Sequence, residues 1–151
     1  MTRRRLWTST VVLFTFPMLG LADVSGTPTL TVGTMLNLDT GATASSGGDI
    51  LWSGTAIVPQ TGAGVFALGS GTAAYNALTA SLVTGFPTSS TPITGSPLAA
   101  SAVFVFKTKG GNYGKMIINT VTTGGSLSLQ FTTFGATGAG SGPTITSIEN
   151  N

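Results

Sequence analysis

Between Ala102 and Thr133 three strand-like runs follow one another, separated by two glycine-rich turns. Ala102–Thr108 places Val103, Val105 and Lys107 on one face and Phe104 and Phe106 on the other. Lys109-Gly110-Gly111-Asn112 follows, a turn in which Gly and Asn supply positive φ. Tyr113–Val121 is the partner strand. Thr122-Thr123-Gly124-Gly125 turns the chain again, and Leu127, Leu129, Phe131 and Thr133 alternate in a third strand. Three consecutive strands joined by hairpins form a β-meander, so this region is antiparallel sheet.

The preceding residues extend the pattern. Leu30, Val32, Leu36 and Leu38 recur on even positions, as in a half-buried strand, with room for a bulge at Gly33-Thr34. Asp39-Thr40-Gly41 is a turn signal, and residues 42–48 are a small polar loop. Asp49–Trp52 opens a second apolar segment that runs through Ile57 and Val58 to Pro59, and Val65–Leu68 is a brief strand. Ala73–Val83 is the one helical stretch, with Tyr75, Leu78, Leu82 and Val83 as its apolar stripe and Gly85 as its stop. Phe86–Ser101, with three prolines, reads as ordered coil. The expected fold is all-β: an antiparallel sandwich or barrel with a C-terminal meander and one short helix.

The ends of the chain differ from this core. Arg3, Arg4 and Arg5 precede the apolar run Leu6–Leu21, and Gly20-Leu21-Ala22 places small residues where a signal peptidase cuts. Residues 1–22 are therefore read as a Sec signal peptide and the protein as secreted. The run is short of the roughly 20 residues of a membrane span, and Thr8, Ser9, Thr10, Thr15 and Pro17 interrupt it, so no span is expected after cleavage. The paired arginines also fit a twin-arginine signal, which ranks second because no cofactor motif follows. Residues 23–135 are the β-domain. Residues 136–142 are a glycine-rich linker, and 143–151 are a tail or the truncated start of a further domain.

Composition excludes several functions. Once the three arginines leave with the signal, Lys107, Lys109 and Lys115 face Asp23, Asp39, Asp49 and Glu149, a net charge of about −1. Three lysines in one short segment do not make the basic face that nucleic acid requires. The chain has no histidine, which removes the usual general base near neutral pH. It also has no cysteine, so a core of roughly a hundred residues must hold the fold without disulfides. Charged residues are 7% of the chain, against about 25% in ordinary domains. Hydroxyls take their place, a surface common in secreted β-proteins. No G-x-S-x-G, P-loop, dinucleotide or zinc motif occurs.

Three motifs carry a resemblance. Asn37-Leu38-Asp39-Thr40-Gly41, Gly48-Asp49-Ile50-Leu51-Trp52, and Val103–Thr108 with Gly111-Asn112-Tyr113-Gly114-Lys115 resemble a module of exported proteins from soil, acidobacteria-like bacteria. That module reads F-D-x-x-T-G, then D-I/L-x-W, then V-F-A-V-x-T-x-x-G-N-Y-A-K. The likeness covers residues 30–134 and implies an extracellular β-module with no assigned activity. Asn37 departs from the module's first aromatic, and Gly114 from its alanine. Pro143–Asn151 is similar to the opening of immunoglobulin-like repeats.

The candidate residues have two readings each. Asp39 and Asp49 are turn caps, or a calcium site, or the acid and base of a glycosidase. Trp52 is a core residue or a sugar platform beside them. Lys107, Asn112, Tyr113 and Lys115 cluster on one hairpin as a solvated turn or a ligand-contact patch. The expected function is a non-enzymatic interaction or structural module with no cofactor. Its partners would be a polysaccharide or another surface protein. The alternatives are a carbohydrate- or calcium-binding module and a self-associating extracellular subunit, the strand-like residues 144–148 adding to a neighbour's sheet.

Overall fold

A computed structural model describes residues 22–135. Of the expected signal peptide 1–22 all but Ala22, and the expected linker 136–142 and tail 143–151, lie outside the described residues. The chain forms β1 (Val24–Gly26), β2 (Thr29–Leu30), β3 (Met35–Leu36), β4 (Thr43–Ala44), β5 (Ile50–Trp52), β6 (Ala56–Pro59) and β7 (Gly64–Ser70). Two short helices follow, α1 (Thr72–Ala77) and α2 (Ala80–Val83), and then β8 (Ile93–Thr94), β9 (Ala102–Lys107), β10 (Tyr113–Val121) and β11 (Leu127–Phe134). The larger sheet has the order β1-β11-β10-β9-β7, with β2 also on β11. The smaller has the order β4-β3-β5-β6-β8. All pairings are antiparallel, and the fold is an all-β sandwich.

The meander holds as the sequence indicates, because its turns are local and their residues are adjacent in the chain. Gly111 takes φ 89°. Both faces of β9 are buried. Phe104 and Phe106 join Met116, Ile118, Leu129 and Phe131 in a core shared with Leu36, Ile50, Trp52 and Ile57 of the smaller sheet. Val103 and Val105 join Ile117 in a second cluster under Tyr75, Leu78 and Val83 of the helical segment. A strand covered on both sides can carry an unbroken apolar run, as Ala102–Phe106 does.

Several elements differ from the sequence reading: β4 forms within the expected loop 42–48 and β8 within the expected coil Phe86–Ser101. The alternation from Leu30 to Leu38 is not one strand with a bulge. Thr34 N–H donates to Thr31 O at 3.0 Å and Gly33 has φ 82°, a full turn that carries the chain from the larger sheet to the smaller. Val32, expected inward, is 51% exposed at that turn. The helix over 73–83 is likewise two pieces, with Leu78 extended between them at φ −76°, ψ 117°. The break turns α2 about its axis. Val83 is then fully buried and Leu82, expected in the stripe, is 53% exposed. Burial of Tyr75, Leu78 and Val83 and the weak helix propensity of Asn76 and Thr79 both favour the break.

Candidate functional site

Asp49 immediately precedes β5 and is 1% exposed. One carboxylate oxygen accepts the backbone N–H of Leu38 at 2.7 Å, and the other accepts that of Lys109 at 2.8 Å. A buried carboxylate is stable only when its lone pairs meet donors, and two charge-assisted bonds supply them. Asp39 approaches the same turn. Its Oδ1 accepts from Asn112 Nδ2 at 3.0 Å, and a Cβ on Gly110 would stand 2.6 Å from its Oδ2. The two acids thus clamp the 108–112 turn of the larger sheet to loops of the smaller. The expected capping of neighbouring backbone N–H groups is replaced by longer reach: Asp49 bonds backbone N–H groups 11 and 60 residues away, and Asp39 bonds a side-chain amide of the distant hairpin. Three of the four carboxylate oxygens face N–H donors, whereas a calcium site needs those lone pairs turned toward the ion.

Trp52 is 1% exposed, and its Nε1 donates to Gly125 O at 2.8 Å. It is a core residue that ties the smaller sheet to the β10–β11 turn. The sugar-platform reading of Trp52 is corrected accordingly, since no ring face reaches solvent. Lys115 is also corrected. Its Nζ donates to Tyr75 O at 3.0 Å and Leu78 O at 2.9 Å, capping the carbonyl end of α1 where the helix breaks. The ammonium lies 4.5 Å from the Tyr75 ring centroid and 5.7 Å from that of Phe134. Burial under the helical segment lowers its pKa from the usual 10.5, and Asp23 offsets part of that.

What remains is one row across the end of the larger sheet. Register places Gly64 opposite Lys107, Lys107 opposite Tyr113, and Tyr113 opposite Phe134. The row lies on the helix-covered face, where Tyr113 and Phe134 pack against the cluster under the helices, and Lys107, Tyr113 and Phe134 are half-buried. Lys107 Nζ sits 5.8 Å from the Tyr113 ring centroid. Asn112 borders the row, with its amide committed to Asp39 and its backbone N–H to Thr108 Oγ1 at 3.1 Å.

Two clefts flank Tyr113. One, of about 530 Å³, is walled by Phe86, Thr88, Ser90, Lys107 and Tyr113. The other, of about 320 Å³, is walled by Asp23, Thr84, Asn112, Tyr113 and Phe134. A third, of about 480 Å³, lies between Ala67–Ser70 and the 96–102 segment, and no charged side chain lines it. Of the residues proposed from sequence, Lys107, Asn112 and Tyr113 meet at the first two clefts, while Trp52, Lys115, Asp39 and Asp49 serve the scaffold. Phe86, Thr88, Ser90 and Phe134 were not anticipated. Phe134 was within reach as the cross-strand partner of Tyr113. The other three lie in proline-rich coil, which has no period to read.

The fold and the site together define an antiparallel β-sandwich with an aromatic–cationic row at one sheet end. Comparison of the chain with protein-family models, with curated proteins and with solved structures gives no match. Among the described residues no helix is long and apolar enough to cross a membrane.

Proposed function

We propose that this chain is a secreted, non-enzymatic interaction module that presents the Lys107–Tyr113–Phe134 row to an extracellular partner. One observation carries the reading: the acids that could have performed hydrolysis accept hydrogen bonds that join the two sheets, while Lys107 and Tyr113 stand half-open between clefts. A general acid or base must reach the proton it moves, and the buried carboxylate of Asp49 faces two backbone N–H groups instead. The export segment supplies the location.

Two measurements test the proposal. Expressed in a bacterial host, the full chain should be found outside the cytoplasm with Asp23 as its first residue, read by mass spectrometry of the intact protein. A chain retained in the cytoplasm with Met1 intact refutes secretion. A screen of glycoside and ester substrates should show no turnover. Turnover that is lost in Asp49→Asn, with the variant shown by circular dichroism to be folded, refutes the non-enzymatic reading.

A further inference from the structure

The geometry points to the larger of the two clefts beside Tyr113 as a binding site for an acidic saccharide, a chain containing uronic-acid residues; this rests on the interaction-module reading and names its ligand. The cleft's volume of about 530 Å³ falls within the roughly 300–1,000 Å³ of small-ligand sites. Its walls combine the three features such a sugar needs.

The first is a fixed aromatic wall. Phe86 stacks on Phe66 at 5.7 Å between centroids with 29° between the rings, so it does not have to be ordered on binding. Tyr113, held by β9 on one side and β11 on the other, lines the same cleft. The flat C–H face of a pyranose packs against aromatic rings of this kind. The second is hydroxyls. Thr88 and Ser90 line the same wall. The segment bearing them is fixed by Ser89, which exchanges two backbone hydrogen bonds with Val65 at 2.8 and 3.0 Å. Gly64 lets the segment come close, since a Cβ there would meet Thr88 Cβ at 3.1 Å. The third is a cation. Among the described residues Lys109 Nζ donates to Gly47 O and Lys115 Nζ to two carbonyls, whereas Lys107 Nζ donates no hydrogen bond, lies 5.8 Å from the Tyr113 ring centroid and lines this cleft. No acidic side chain lines it. One cation without a competing anion selects a carboxylate-bearing ligand.

The same features favour a glycan over an acidic peptide. A peptide docks on a sandwich most readily by adding a strand to an open edge. At this cleft the outer edge of β7 is already closed by the Val65–Ser89 bridge. What is left is rings and hydroxyls, with no row of free backbone groups.

The test titrates the full chain with tetragalacturonate, with maltotetraose as a neutral sugar and with a tetraglutamate peptide as an acidic non-sugar, following backbone amide shifts by NMR. Tetragalacturonate should shift Phe86, Thr88, Ser90, Lys107 and Tyr113. Its affinity should fall at least tenfold in Lys107→Gln, be largely kept in Lys107→Arg, and weaken as salt rises. Equal binding of tetragalacturonate by the wild type and Lys107→Gln overturns the proposal. So does equal binding of maltotetraose, which removes the role of charge, or equal binding of tetraglutamate, which removes the sugar. Unchanged spectra with all three probes overturn the saccharide assignment and leave the module reading standing. Cleavage of tetragalacturonate by the chain would overturn the module reading itself.

Discussion

Gly114 in β10 faces Phe106 in β9, and replacing it with alanine is the sharpest test of the packing described above. A Cβ built on Gly114 would stand 2.7 Å from Phe106 Cε2 and closer still to Phe106 Cζ and to the backbone oxygen of Thr132. Neither obstacle can give way easily. Phe106 is fully buried in the inter-sheet core, and Thr132 belongs to β11, whose backbone is paired to both β10 and β1. Overpacking a core costs about 1–3 kcal/mol, and a clash against both a ring and a backbone group belongs at the upper end. Alanine in place of glycine returns about 0.4–1 kcal/mol by restricting the unfolded chain. The net expectation for Gly114→Ala is a loss of about 2 kcal/mol. With a urea slope of roughly 1–3 kcal/mol/M, the midpoint should fall by about 1 M at unchanged slope. Gly69→Ala is the control: nothing lies within 4 Å of its Cβ position and its φ is not positive, so it should be neutral or up to about 1 kcal/mol stabilising. Shortening Phe106 removes the ring edge that the new Cβ would meet, so adding Phe106→Val to Gly114→Ala should cost less than the two single losses added together. A Gly114→Ala midpoint at or above wild type would show that the strands do not pack as described.

The remaining expectations are more local. Asp49→Asn turns an amide NH2 toward a backbone N–H and should cost about 2–4 kcal/mol, seen as a Tm lower by about 10 °C or more; an unchanged Tm would mean that the clamp on Leu38 and Lys109 is not made in solution. Gly111→Val, at φ 89°, should lose about 1–2 kcal/mol or more, while half-exposed Lys107→Ala should stay within about 0.5 kcal/mol in the same denaturant melt; equal small losses would put the turn elsewhere. Because burial lowers the pKa of Lys115, the unfolded chain holds this proton to higher pH than the folded one. Stability relative to Lys115→Met should thus rise with pH as it climbs through the lowered pKa toward 10.5, and a difference that stays flat or falls between pH 7 and 11 contradicts the desolvation.

The legible parts of this sequence are those whose partners are near in the chain. Lys109–Asn112 and Thr122–Gly125 mark two turns, and each joins strands that follow one another, so the meander could be read directly. The division between two sheets could not. Period-two alternation reports that a strand has an inner face and not which sheet it joins, so the crossing at Gly33 looked like a bulge. Asp49 shows the same limit: its partners lie 11 and 60 residues away, so its capping role was readable as chemistry but not as a place. Lys115 was misread because its function depends on where the helix breaks, and that break is set by burial across the sandwich. At the candidate site Lys107 and Tyr113 were found because they share a hairpin. Phe86, Thr88 and Ser90 come from a coil whose position is fixed only by Phe66, Gly64 and Val65 of another element.

The pairing of the first strand with the last has a mechanical consequence. Val24 lies opposite Thr133, Gly26 lies opposite Phe131, and Gly135 N–H donates to Asp23 Oδ1 at 3.0 Å. The domain's two ends therefore leave side by side from one corner. A pull applied between residues 23 and 135 would load the β1–β11 ladder at that corner, parting its hydrogen bonds one after another, as a zipper opens, instead of shearing them all at once. Neighbouring strands pulled this way resist little. In a single-molecule pull through its termini the domain should therefore open at a far lower force than when it is held at residues 26 and 135, which lie toward opposite ends of the same ladder and load it in shear.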